Sequence, residues 1–194
     1  MSCDGIVIVG GGIAGLSICE AIRARDPRVA MTLVCGEPRL PYDRVRLSEL
    51  LVTGREPDAL ELRPGEWFED HDVRVVVGRR VEAIDTDRRA LALDGDETLA
   101  YDRLVLATGS TALMPPIPGI SLPGVIPFRG PEHCAAIRAA AASGTRVAVI
   151  GGGLLGLEAA YGVASRGCPV TVVHLMDRLM ERQLDARAAE LLRP

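Results

Sequence analysis

The sequence lacks any apolar run approaching the roughly 20 residues that cross a bilayer, so nothing in it reads as a membrane segment. Its short apolar run Ile6–Val9 has no basic stretch before it and is cut at once by glycines, unlike the core of a secretion signal. Positive charge is not in excess either. A net charge of −4 gives no electrostatic footprint for nucleic acid or an anionic membrane surface as partner. Cysteine pairs are missing too. Cys3, Cys19, Cys35, Cys134 and Cys168 form no Cys-x-x-Cys and fall at no metal-ligand spacing. No metal site is expected, and a dithiol–disulfide reductase is disfavoured. The thiols read as small buried residues of a reducing, cytoplasmic compartment. What the chain does have is 48% hydrophobic and 25% charged residues, the balance of a folded protein with a core.

Along the chain, Ile6–Val9 reads as a buried parallel strand. Ile13 to Arg25 has helical spacing, with Ile13, Leu16, Ile18, Ala21 and Ile22 on one face, and Asp26-Pro27 stops it. Val29–Cys35 is a second strand, which completes a βαβ unit over residues 5–35. Residues 36–64 are rich in Pro, Arg and Asp and predict a long irregular loop of the kind that is usually functional. A short helix at Glu66–His71 and a strand at Val73–Val77 come next. Three alternating segments, Arg80–Asp85, Ala90–Leu93 and Leu99–Leu106, are separated by Asp/Thr/Gly turns and predict an antiparallel meander. A connector covers residues 115–144, proline-rich from Pro115 to Pro131.

The first glycine cluster, Gly10-x-Gly12-x-x-Gly15, comes directly after a strand and opens a helix. Gly10 suits a tight turn, Gly12 lets a pyrophosphate approach the backbone, and Gly15 lets helix and strand pack. The phosphates would lie at the helix N-terminus, with flanking backbone from Ile13 and Ala14. Glu37-Pro38, after the second strand, supplies a carboxylate for the ribose hydroxyls.

The same pattern returns 141 residues later. Arg146–Ile150 is strand, Gly151-x-Gly153-x-x-Gly156 is the loop, Leu154–Ala164 is helix and Val170–His174 is strand. Leu154 and Leu155 take the places of Ile13 and Ala14, and Ala160 and Gly167 are small where helix meets sheet. The second strand ends in His174 rather than a carboxylate. That removes a repulsion toward the extra phosphate of NADPH, with Arg178 or Arg182 as sources of positive charge. Two dinucleotide units imply two nucleotide cofactors and hydride transfer between them.

The predicted fold is therefore α/β. A Rossmann-like domain with an antiparallel meander covers residues 1–114, and residues 145–194 start a second, incomplete Rossmann-like unit.

The order GGGIAGLS, PYDRVRLS, LVLATGS, VIGGGLLGLEAA resembles the two-dinucleotide-domain pyridine nucleotide reductases, FAD enzymes related to rubredoxin and ferredoxin reductases. The segments 41–48 and 179–185, the latter reading LMERQLD, are similar to the flavin-bearing N-terminus of the large subunit of assimilatory NAD(P)H nitrite reductase. The resemblance implies FAD on the first unit and NAD(P)H on the second. It places Arg44 on the FAD phosphates or adenosine, Ser48 near the flavin, and the Val81 backbone at the adenine. Ala107, Thr108 and Gly109 would close on the FAD, and Glu158 would lie near the nicotinamide. It names no catalytic acid or base.

Three departures from the family stand out. Many relatives have their ribose acid where this chain has Gly36, and the rubredoxin-reductase branch has a lysine where this chain has Glu49. In the family a Gly-Asp segment C-terminal to the NAD domain completes the FAD site, and this sequence stops before that segment. The expected partner is the iron–sulfur and sirohaem part of a larger enzyme; the alternative is a small electron carrier served by a stand-alone reductase. A third reading is a nucleotide-binding fragment without turnover, whose unfinished second sheet leaves a homo-oligomer open.

Overall fold

The computed structural model describes residues 5–192, so Cys3 lies outside it. It contains two compact units. One comprises the chain up to Asp43 together with Leu60–Ser110; the other comprises Arg44–Ala59 together with the chain from Thr111 onward.

In the first unit, β1 (Ile6–Val9) is an unbroken apolar run and β2 (Met31–Cys35) is apolar but for the buried Thr32, because both of their faces are covered. They lie in a four-stranded parallel sheet of order β3-β2-β1-β7, where β3 is Val73–Val77 and β7 is Arg103–Leu106. Side-chain alternation divides the sheet's two contacts. Ile8, Met31, Leu33 and Cys35 pack on Leu16 and Cys19 of α1 (Ile13–Arg25) and on Phe68 of a short helix, α3 (Gly65–Asp70). Val7, Val9 and Val34 face the other way, onto Leu91, Leu93 and Leu99 of an antiparallel meander. That meander is β4 (Val81–Asp85), β5 (Ala90–Leu93) and β6 (Glu97–Ala100).

Two sequence expectations change here. The predicted segment Leu99–Leu106 is two strands in two sheets. The chain breaks at Tyr101-Asp102, where Tyr101 N–H donates to the Arg89 carbonyl and Asp102 N–H to that of Gly5. The α1 face also differs: Gly15, Leu16 and Cys19 are buried, whereas Ile13 is 61% exposed.

The second unit holds a helix inside the segment expected to be a loop. Residues 36–64 are not irregular throughout, because Leu47–Thr53 form a helix, α2, that buries Leu47, Leu50 and Leu51 at helical spacing. Gly54, in left-handed conformation at φ 68°, ends it. The connector also holds a helix, α4 (Pro131–Ala140), with proline in its first turn. Strands β8 (Val147–Ile150) and β9 (Val170–Val173) pair in parallel on either side of α5 (Leu154–Ala164) in the chain. Leu51 of α2 packs against Gly162 of α5, where an added Cβ would come within 2.7 Å of the Leu51 Cβ. The Cys134 thiol of α4 donates to the Leu47 carbonyl at 3.6 Å. Among the described residues no helix is long and apolar enough to cross a membrane.

Candidate functional site

The two glycine loops are built alike. Gly10 and Gly151 carry φ of +125° and +120°, a conformation that L side chains rarely adopt. Each donates its N–H to a backbone carbonyl near the end of the neighbouring strand, that of Val34 in β2 and that of Val173 in β9, at 2.8 Å. A Cβ at Gly15 would run into the Gly10 carbonyl oxygen, and one at Gly156 into that of Gly151. These glycines serve the packing of helix against loop.

Gly12 and Gly153 are different. Each is the N-cap of its helix, neither offers a capping side chain, and the first turns of α1 and α5 carry no acid. A Cβ added at either would meet nothing within 4 Å. Open space thus lies over a helix N-terminus whose first N–H groups lack an intrahelical or side-chain acceptor. That arrangement fits a pyrophosphate in each unit. Exposed apolar residues flank both places, Ile13 and Ala14 in one, Leu154 and Leu155 in the other.

Around the first loop, Glu37 comes after β2. Its carboxylate accepts a hydrogen bond from the Tyr42 hydroxyl at 2.8 Å, and its carbonyl accepts the Gly78 N–H at 2.9 Å. Pro38 lies against Gly78. Ala107 donates its N–H to Val9, and its carbonyl sits where a Gly10 side chain would go. Thr108 and Gly109, the latter at φ +69°, lead away from β7 beside this loop. Val81 starts β4 and packs partly buried against the meander core. Tyr42 stands in the PYDR string five residues after Glu37, but no spacing motif marks it as that carboxylate's partner.

In the second unit, Arg44, Leu154, Leu155 and Glu158 line one open pocket of about 260 Å³, together with Val45, Leu47, Phe128 and Arg129. Arg44 Nη1 donates to the Arg129 carbonyl at 2.6 Å. Glu158 lies one helical turn after Leu154 and shares its face. Ser48 lies on α2 and does not line this pocket. Phe128 and Arg129 carry no motif in the sequence; only folding brings them to Arg44.

His174, which follows β9, is held by hydrogen bonds at both ring nitrogens. Its Nδ1 accepts the Gly152 N–H at 3.0 Å, so Nε2 carries the ring hydrogen and donates to Glu181 at 3.1 Å. A carboxylate therefore stands at the strand end after all, delivered from seven residues downstream. Arg182 and Arg178 do not stand alone: they lie 3.9 and 3.6 Å from Glu181 and Asp177.

Cys19, Cys35, Cys134 and Cys168 are all free and buried. Burial pushes the Cys19 thiol up to about 11, and those of Cys35 and Cys134 up to about 12, so none of these three is a nucleophile near neutral pH. Among the described residues no three His, Cys, Asp or Glu side chains cluster to hold a metal ion.

The sequence pattern of the pyridine nucleotide-disulphide oxidoreductase family matches residues 4–193. The chain is 38% identical over 188 residues to the nitrite reductase [NAD(P)H] of Bacillus subtilis, covering 96% of this chain and 23% of that protein. It is 37% identical to the rhodocoxin reductase of Rhodococcus erythropolis, covering 93% and 43%. A crystal structure of a ferredoxin reductase from Rhodopseudomonas palustris superposes with a TM-score of 0.89 at 32% identity, covering 96% of this chain and 46% of that one. The chain thus spans less than half the length of each of these relatives.

Proposed function

The chain belongs to the pyridine nucleotide-disulphide oxidoreductase family, and we propose that within it the chain is an electron-input module of the nitrite reductase type. In this reading FAD sits on the first unit and NAD(P)H on the second. The observation that carries it is the repeated loop, with open space over Gly12 and over Gly153, each above an uncapped helix N-terminus.

Gly10, Gly12, Ile13, Ala14 and Gly15 would cradle the FAD pyrophosphate, Glu37 and Pro38 would flank its ribose, and Val81 and Ala107–Gly109 would border it. Arg44, with its fork of donors, and Ser48 remain proposed contacts of the same cofactor. Gly151, Gly153, Leu154, Leu155 and Gly156 would hold the second nucleotide, with Glu158 near its nicotinamide and His174 near its ribose. Bound FAD would supply the conversion of a hydride from NAD(P)H into single electrons for a metal centre. The chain's own part is to bind and orient the two nucleotides. The buried, high-pKa cysteines support a route that needs no dithiol.

The electrons' destination is proposed as the iron–sulfur and sirohaem part of a larger enzyme. The LMERQLD string at 179–185 and the 38% identity to a nitrite reductase favour it. The likeness to rhodocoxin reductase supports the alternative of a separate small carrier. Four buried free thiols support a cytoplasmic location.

Calorimetric titration of FAD and then NAD⁺ into the purified protein tests the two-site reading. One molecule of each, bound without mutual displacement, is the expected result. Competition for one shared site would overturn it.

A further inference from the structure

In a dinucleotide-binding βαβ unit, a carboxylate at the end of the second strand hydrogen-bonds the adenosine ribose, whereas an arginine there accommodates the additional phosphate of NADP. Strand β9 ends in Val173 and is followed by His174, Leu175 and Met176, none of which is acidic, and then by Asp177, which is 80% exposed and lies 3.6 Å from Arg178. The carboxylate comes instead from the LMERQLD string. Met180, at φ 50°, turns the chain back, and its N–H donates to the Gly152 carbonyl at 2.9 Å. The Gly152 N–H in turn donates to His174 Nδ1, and His174 Nε2 donates to Glu181. Both polar groups of Gly152, the residue between the first two glycines of the fingerprint, are thereby tied to the segment that carries Glu181.

The segment's charge points the same way. Residues 174–182 hold two acids and two arginines, and the nearest acid to each arginine is its own sequence neighbour. Arg182 is the more exposed of the two, at 87% of its side chain, and Glu181 is far more enclosed, at 23%. The Glu181 carboxyl is held below the usual carboxylate range by a backbone hydrogen bond and by His174, so it is charged at neutral pH. Residues 174–182 therefore carry no net positive charge of their own for a phosphate.

We propose that Glu181, positioned by His174, is the ribose-reading carboxylate of the second nucleotide site and selects NADH over NADPH. The proposal rests on the second unit being the NAD(P)H site. Glu181 accepts from the 2′-hydroxyl of the ribose and repels a 2′-phosphate; His174 is a positioning residue that fixes the carboxylate at the Gly152 loop.

The test is calorimetric binding of NAD⁺ and NADP⁺ to the purified protein and to Glu181→Gln, His174→Ala and the double variant. The unaltered protein is expected to prefer NAD⁺. Glu181→Gln should reduce that preference by about tenfold or more, chiefly because NADP⁺ binds better. His174→Ala should shift the ratio in the same direction, and the double variant no further than Glu181→Gln alone. An unchanged ratio in Glu181→Gln, or a preference for NADP⁺ in the unaltered protein, would overturn the proposal. Binding of neither nucleotide to the unaltered protein would overturn the reading of the second unit, and this proposal with it. If the variants do not fold, displacement of NAD⁺ from the unaltered protein decides: adenosine diphosphate must compete better without a 2′-phosphate than with one.

Discussion

The Tyr42 hydroxyl donates to the Glu37 carboxylate at 2.8 Å, from a tyrosine that is 4% exposed. A carboxylate so held is oriented before any ribose arrives. Tyr42→Phe removes that donor and is expected to cost about 1–2 kcal/mol of stability, measured by urea unfolding. FAD binding, monitored by flavin fluorescence, should weaken in Tyr42→Phe and weaken further in Glu37→Gln.

The glycines separate into two kinds, and alanine distinguishes them. Gly12→Ala and Gly153→Ala place a methyl in open space, so stability should stay within about 1 kcal/mol of the parent. Nucleotide binding should be lost, FAD in the first variant and NAD(P)H in the second. Gly15→Ala and Gly156→Ala push a methyl into a backbone carbonyl and should cost about 1–3 kcal/mol even without nucleotide. Thermal melts paired with binding titrations check both.

Leu51 is fully buried, and its side chain rests on Gly162. Leu51→Ala is expected to destabilise the second unit by about 2–5 kcal/mol, read from chemical unfolding. A change near zero would mean that α2 does not pack on α5 in solution.

Three thiols bring a pH dependence. Cys19, Cys35 and Cys134 are raised from the ordinary 9 to about 11, 12 and 12 by burial. As pH rises above 9 the unfolded chain releases these protons first, so folding stability is complete below 9 and falls toward 12. Each thiol contributes up to about 1.4 kcal/mol per pH unit in that window. Unfolding midpoints measured from pH 8 to 11 should decline above 9, and the decline should be shallower in Cys35→Ala.

Much of this architecture was legible in the sequence because local and global signals agree there. Ile6–Val9 and Met31–Cys35 are covered on both faces, so their apolar runs announce buried strands, and the glycine loop between them marks the start of α1. Helix α2 was hidden because seven residues are too few to give a periodic signal, and the surrounding prolines and arginines suggest a loop. The break at Tyr101-Asp102 carries no glycine or proline; it is made by backbone bonds to Arg89 and Gly5, which lie far off in the chain. At the candidate site, the glycines, Glu37 and Glu158 could be named from spacing or resemblance. Glu181 could not, because a left-handed Met180 and a hydrogen bond to His174 bring it back.

The proposed function requires a hydride to pass from NAD(P)H to FAD, and the visible spectrum of the purified protein reads that transfer out. With FAD bound, the flavin spectrum is expected to bleach when NADH is added without oxygen. A flavin spectrum that NADH and NADPH both leave unchanged would contradict it.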